Sequence, residues 1–275
     1  MNNNELTLHI LSDINHLGYR NLLVSHDEHH QKVSLNSDGY RSPEFKNNVD
    51  ILALGCSMTF GIGVNQQALW PEVLSNKTNL DYNNLSETGA STMHIIIASM
   101  KYMKKYGNPK NIIAVFPDFH RFRIPIDGKV FKKNNKSNIM VDGFVNTNKS
   151  KYLKLPVNPD NIFTNEYTEY LNFAFIKMLE QYCYSNKINL IWTTWSILDN
   201  TDQNILNTSF DNFVHTYQSP NILKDMDCHS KYKESFPDCF DHGTDGNMNN
   251  AHFGAHWHVH MAETFERILN GNTRD

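Results

Sequence analysis

The sequence predicts an α/β fold: a three-layer α/β/α sandwich on a central parallel sheet, with a β-rich insertion. Three observations carry this expectation. Between Asp50 and Ile113 short apolar runs alternate with helical stripes, the rhythm of strand–helix–strand units. The runs Ile51-Leu52-Ala53-Leu54 and Ile112-Ile113-Ala114-Val115-Phe116 are continuous rather than alternating, as in strands covered on both faces. The stretch from His256 to Leu269 sets Val259, Ala262, Phe265, Ile268 and Leu269 on one helical face, which makes a docked final helix.

Taken in order, residues 1–48 read as an N-terminal extension packing on the core, and residues 49–272 as one α/β domain. Ile51–Leu54 follows the polar Lys46-Asn47-Asn48 and ends in Gly55, so a central strand is expected there. Leu69, Val73 and Leu74 fall at helical spacing. Thr92 to Tyr106 offers Ile95, Ile96, Ser99, Met100 and Met103 as a second helical stripe, and Asn111–Phe116 is the next buried strand. From about 125 to 156 the rhythm breaks. Asp127-Gly128, the Lys132–Lys136 run and Asp142-Gly143 mark turns between short β-like pieces, as in an insertion. A helix with Leu171, Phe175, Met178 and Tyr182 on one side then precedes the strand Ile188–Trp192. Asp199 to Asn250 is long, polar and aperiodic, either a surface excursion or a lid over the strand ends.

Composition narrows the function. With 25 basic against 29 acidic side chains and a net charge of -4, there is no broad cationic field, so a nucleic-acid partner is not expected. No run approaches the roughly 20 apolar residues of a spanning helix, so no membrane role is expected. Met1-Asn2-Asn3-Asn4-Glu5-Leu6 has neither the basic start nor the apolar core of a secretory signal, which leaves a cytoplasmic or virion-associated protein as the expectation. Cys56, Cys183, Cys228 and Cys239 lack the paired spacing of a zinc ribbon or small disulfide framework and read as mostly free thiols.

The most informative segment is Leu54-Gly55-Cys56-Ser57-Met58-Thr59-Phe60-Gly61, a serine directly after a strand and just before a helix. That position sets a hydroxyl at the carboxyl edge of a parallel sheet, where α/β proteins place ligands, with backbone N–H groups nearby for the charge of a tetrahedral intermediate. The alternative is a plain turn in which Ser57 caps the helix. His252, in the loop His252-Phe253-Gly254 before the final helix, is placed to act as base toward Ser57 and then as acid toward a leaving group.

The segment Gly55–Gly61 resembles the first block of the SGNH, or GDSL-like, hydrolases, in which a serine nucleophile follows a strand; Cys56 stands where the family has aspartate. Asn84-Leu85-Ser86-Glu87-Thr88-Gly89-Ala90-Ser91 looks like the second block, whose glycine supplies an oxyanion-hole N–H, a role the resemblance gives Gly89. Leu35-Asn36-Ser37-Asp38-Gly39-Tyr40-Arg41-Ser42-Pro43-Glu44 is similar to the lead-in of one branch, of a divergent phage or bacterial type, and Leu69-Trp70-Pro71 fits the first helix. The resemblance covers roughly 33–120 and 245–268 and implies the flavodoxin-like sandwich of that superfamily.

Two blocks depart from the pattern. In place of the third block's asparagine, the chain has Val115-Phe116-Pro117-Asp118-Phe119-His120-Arg121; proline has no N–H to offer, and Asp118 would repel an oxyanion unless Arg121 or Arg123 compensates. The place of the triad aspartate is taken by Asn249, three residues before His252. Asn249 can orient the imidazole through its amide oxygen, or Asp245 can take its place, or Ser57 and His252 act as a dyad.

Other polar and aromatic clusters have two readings. His256 and His260, at i and i+4, could share a zinc ion with Cys239, Asp241 or His242, but a helical pair without a named third ligand reads as a polar surface feature, so no metal is expected. His26, His29 and His30 read as a solvated face. Trp192, Trp195 and Trp257 are either core or walls of an acyl or sugar pocket.

The resemblance implies a cofactor-free serine hydrolase for a carboxylic ester, an acetylated glycan or a small acyl ester, working through an acyl-enzyme. An O-acyltransferase shares the first half-reaction. The altered blocks leave a third alternative, a binding or structural module on the same fold, for example one associated with a virion.

Overall fold

The computed structural model describes residues 22–26, 29–61, 64–117, 119, 165–195, 206, 209–210, 212–214 and 255–271; side chains are not described for 22–32, 165–168 and 256. Two short strands, β1 (Leu22–His26) and β2 (His29–Val33), form an antiparallel pair with His26 opposite His29. The expected insertion at 125–156, most of the stretch 199–250, and Cys228 and Cys239 lie outside the described residues. Cys56 and Cys183 are buried free thiols.

The core is a parallel sheet of four described strands: β3 (Ile51–Gly55), β4 (Tyr82–Asn84), β5 (Asn111–Phe116) and β6 (Asn189–Thr194), in the order β4-β3-β5-β6. Its central strands are apolar on both faces because both faces are covered: every residue from Ile51 to Leu54 and from Ile112 to Phe116 is buried. Of the helices, α1 is Ser57–Phe60, α2 Trp70–Thr78, α3 Thr92–Tyr106, α4 Asn165–Ser185 and α5 Ala255–Leu269. The chain runs from β3 through α2 out to its neighbour β4 and returns through α3 past β3 to β5; right-handed crossovers, the rule for such parallel units, set α2 and α3 on opposite faces. Packing agrees, since α2 meets α5 while α3 meets α4. The three-layer α/β sandwich is thus observed.

Local chemistry explains the elements. Ser91 caps α3 by accepting the His94 N–H at 3.3 Å, Lys104 and Lys105 complement the dipole in its last turn, and Ile95, Ile96, Ser99, Tyr102 and Met103 form its buried stripe. At the amino end of the sheet the Asn189 amide donates to Asn111 Oδ1 at 2.9 Å, and the Asn111 amide to the Asp50 carbonyl at 3.0 Å. The outer edge of β6 is covered by a bridge between Trp192 and Phe213, with Val214 N–H donating to the Trp192 carbonyl at 2.8 Å. Behind it, the buried carboxylate of Glu180 accepts from the Trp192 indole at 3.1 Å and from the Asn212 N–H at 3.3 Å.

One expectation is corrected. The inward face of α4 carries Asn172, Ile176, Leu179, Glu180 and Cys183, whereas Met178 is 62% exposed; Phe175 and Tyr182 lie at the margin of the core. The polar run Tyr82-Asn83-Asn84 is a buried strand because its amides are satisfied from outside the sheet: Asn83 donates to the Lys46 carbonyl at 3.0 Å and Asn84 to the Arg41 carbonyl at 3.1 Å.

Candidate active site

In an open parallel sheet, ligands gather beyond the carboxyl ends of the strands where the order reverses. Here that point lies between β3 and β5, since the chain runs from β3 outward to β4 and then back past β3 to β5. Ser57 is the second residue after β3 and the first of α1. Cys56 is the N-cap, with no side-chain cap bond, so the capping alternative for Ser57 is not what the structure shows. Ser57 is 8% exposed, more enclosed than a turn hydroxyl ordinarily is.

Gly55 makes this turn possible. A Cβ there would lie 2.0 Å from Thr59 Oγ1 and 3.2 Å from the Val115 carbonyl oxygen, so only glycine lets α1 fold back over the strand end. Thr59 Oγ1 in turn accepts the Trp70 indole N–H at 3.3 Å. The Glu87 N–H donates to the Gly55 carbonyl at 3.2 Å, which carries the β3–β4 pairing past the end of β4 and brings the Glu87–Ala90 turn beside the Ser57 segment. That turn closes with the Ala90 N–H on the Glu87 carbonyl at 3.3 Å, and Gly89 sits in it at φ 75°, a left-handed conformation suited to glycine.

Arg41 holds the other side. Although only 1% exposed, its guanidinium donates to the carbonyls of Phe60 at 2.9 Å, Gly61 at 2.6 Å and Val64 at 2.6 Å, and its Nε to Gln66 Oε1 at 3.2 Å. It also lies over the Phe60 ring, 5.6 Å from its centroid. The loop after Ser57 is therefore wrapped around a buried cation.

The last helix reaches the same edge. Ala255, the first residue of α5, is buried in a cluster with Val64, Ala68 and Leu69. His258 fixes the register: its Nδ1 accepts the Trp70 N–H at 3.1 Å, filling an acceptor place at the start of α2 that no side-chain cap from Leu69 fills. That bond sets the tautomer, with the proton on Nε2, a buried atom without a partner among the described residues. Burial, with the Arg41 charge adding, pushes His258 down to about 3, so it is neutral at ordinary pH.

Of the residues singled out in the sequence, Ser57 follows β3 and Gly89 sits in the turn after β4, and the Glu87 N–H on the Gly55 carbonyl joins the two segments. Trp195 follows β6 at the same edge, its N–H on the Phe116 carbonyl at 3.2 Å, and is partly buried against the core. Trp257 is buried in the first turn of α5, edge-on to His258 at 5.1 Å. Asp118, Arg121, Asp245, Asn249 and His252 lie outside the described residues. No group of three or more metal-ligating side chains occurs among the described residues, and no helix among them is long and apolar enough to cross a membrane.

Sequence reasoning missed the parts played by Tyr40, Arg41, Glu87, His94 and His258. For Arg41 a signal was present, since it stands in the lead-in segment that carries part of the resemblance. For Glu87 and His94 the only hint was their place on either side of Gly89.

No protein-family model matches the chain, and no curated protein matches it in sequence. Among solved structures it is similar to a carbohydrate esterase family 2 enzyme with its carbohydrate binding domain from Corynascus thermopiles (Myceliophthora fergusii), at 11% identity over 90% of this chain and 70% of that one, TM-score 0.38. It is also similar to the acetyl xylan esterase Est2A from the rumen bacterium Butyrivibrio proteoclasticus, at 16% identity over 90% and 68% of the two chains, again with a TM-score of 0.38. Likeness this slight has no bearing on activity.

Proposed function

We propose that this chain is a serine esterase of SGNH type, releasing an acyl group from a carboxylic ester, an acetylated carbohydrate or a small acyl ester, through an acyl-enzyme at Ser57. One observation carries the reading: Ser57 stands at the strand-order reversal, and the turn holding Gly89 is hydrogen-bonded, through the Glu87 N–H, to Gly55, two residues before Ser57. The burial of Ala255 with Val64 adds support, because α5 begins three residues after His252 in the sequence.

In this mechanism Ser57 Oγ attacks the carbonyl carbon while His252 takes its proton. The Ser57 and Gly89 N–H groups receive the oxyanion. Collapse breaks the bond to the alcohol oxygen, which leaves with the proton from His252. Water then attacks the acyl-enzyme by the same route and the acid departs, restoring Ser57. Asn249 or Asp245 holds the imidazole tautomer, Asp118 and Arg121 set the charge beside the hole, and Trp195 and Trp257 border the acyl or sugar pocket. No cofactor enters. Residues 1–48 serve as an extension of the single domain 49–272.

A second reading, a binding or structural module on the same fold, is favoured by the 8% exposure of Ser57. Acetate release separates the two. The purified protein is incubated with acetylated xylo-oligosaccharides and with p-nitrophenyl acetate, alongside Ser57→Ala; acid release that Ser57→Ala abolishes supports the esterase. A folded wild-type protein no faster than Ser57→Ala on every ester would remove it.

A further inference from the structure

Two consecutive residues of the N-terminal segment each reach a different half of the proposed oxyanion hole. Arg41 grips the carbonyls of Phe60, Gly61 and Val64, the loop that continues from Ser57. Tyr40 donates its hydroxyl to Glu87 Oε1 at 3.1 Å, and the other oxygen of that carboxylate meets His94 Nε2 at 2.7 Å. Glu87 opens the turn containing Gly89, and His94 belongs to the first turn of α3, directly after it. The Glu87–His94 contact is mostly enclosed, at 14% and 16% side-chain exposure, so water screens it less than a surface pair.

The segment bearing Tyr40 and Arg41 is itself anchored. Asn36 Oδ1 accepts the Tyr40 N–H at 2.9 Å, Asn84 donates to the Arg41 carbonyl at 3.1 Å, and Ser42 Oγ accepts the Asn84 N–H at 2.9 Å. Tyr40 also packs on Phe45, with ring centroids 5.3 Å apart. Since residues 40 and 41 are covalently joined, one short, anchored piece of chain contacts both the Ser57 loop and the Gly89 turn.

We propose that Tyr40, Arg41, Glu87 and His94 are positioning residues that set the separation of the Ser57 and Gly89 N–H donors, a role that rests on the esterase reading. An oxyanion hole works by preorganisation, and displacing a donor by about 1 Å forfeits much of its effect. The brace therefore acts on the transition state rather than on substrate binding.

Tyr40→Phe is the mildest probe, because it removes one hydroxyl and keeps the ring packing. His94→Leu removes one partner of Glu87, and His94→Gln restores an N–H donor. In Tyr40→Phe and His94→Leu, turnover and the rate of fluorophosphonate labelling at Ser57 fall about 10-fold with KM nearly unchanged, and His94→Gln recovers most of the loss. Labelling at the wild-type rate in both variants, or a change confined to KM, would overturn the proposal.

Amide hydrogen exchange over residues 85–91 reads the brace without chemistry. Exchange there rises in Tyr40→Phe and His94→Leu, while the distant strand Asn189–Thr194 keeps its wild-type protection. If Ser57 never labels, even in the wild type, the esterase reading fails and this exchange alone decides whether the brace exists. Unchanged exchange over 85–91 would dismiss it.

Discussion

Replacing Arg41 by methionine keeps most of the side-chain volume and removes every donor of the guanidinium. Three carbonyls lose a partner, but unequally. The Gly61 oxygen keeps the Val64 N–H at 3.1 Å, whereas the Phe60 and Val64 oxygens lose their bonds of 2.9 and 2.6 Å. A buried acceptor deprived of a charged donor costs about 1–3 kcal/mol. Two such losses come to about 2–6 kcal/mol, and relief of the cation's own desolvation offsets part of that. The expected destabilisation is about 3 kcal/mol, a fall in Tm of roughly 6–12 °C for a domain of this size. Arg41→Lys places three ammonium donors in a space shaped for a planar fork and should lose about half as much. Thermal unfolding followed by far-UV circular dichroism, with urea unfolding as a cross-check, measures both. A Tm within 2 °C of wild type for Arg41→Met would refute the idea that this buried cation holds the Ser57 loop.

Other expectations follow from the same contacts. Gly55→Ala drives its new methyl into Thr59 and strains the Thr59–Trp70 bond, at a cost of about 1–3 kcal/mol that a melting curve shows and that Thr59→Ala in the same chain partly relieves; equal, additive losses would contradict this. His258 ties stability to pH: its folded value of about 3 lies below the ordinary 6.5, so the unfolded chain binds the extra proton between those limits. Stability from this group is complete above about pH 6.5 and is lost as pH falls toward 3, by up to about 5 kcal/mol. His258→Gln should flatten that part of a urea-unfolding series across pH, and an unaltered slope would count against a neutral buried imidazole. Ser57→Ala, which touches no capping bond, should shift stability by less than about 1 kcal/mol; collapse of the fold would make the serine structural.

What could be read from sequence was whatever local pattern determines. Thr92–Tyr106 was legible to the residue because its stripe, its Ser91 cap and its terminal lysines all agree. Asn111–Phe116 was legible because only a strand buried on both faces reads as an unbroken apolar run. Tyr82–Asn84 was not, since a strand of buried asparagines is stable only with acceptors supplied by Lys46 and Arg41, some 40 positions upstream. Met178 was misassigned because the long helix α4 meets the sheet along Ile176, Leu179 and Cys183, a stripe that begins one residue away. In the candidate site, Ser57 and Gly89 announce themselves by their neighbours, Gly55 and the Glu87–Ala90 turn. Tyr40, Glu87 and His94 do not, because their relation is set by tertiary contact and no local periodicity encodes it.

The central claim is that Ser57 is an activated nucleophile served by His252. It is tested most directly by treating the folded protein with a fluorophosphonate and locating the adduct by peptide mass spectrometry, with Ser57→Ala and His252→Ala as controls. The account predicts an adduct on Ser57 that vanishes in the first variant and is reduced at least 100-fold in rate, to order of magnitude, in the second. A wild-type protein that is folded yet unlabelled at Ser57, or labelled equally fast without His252, would contradict it.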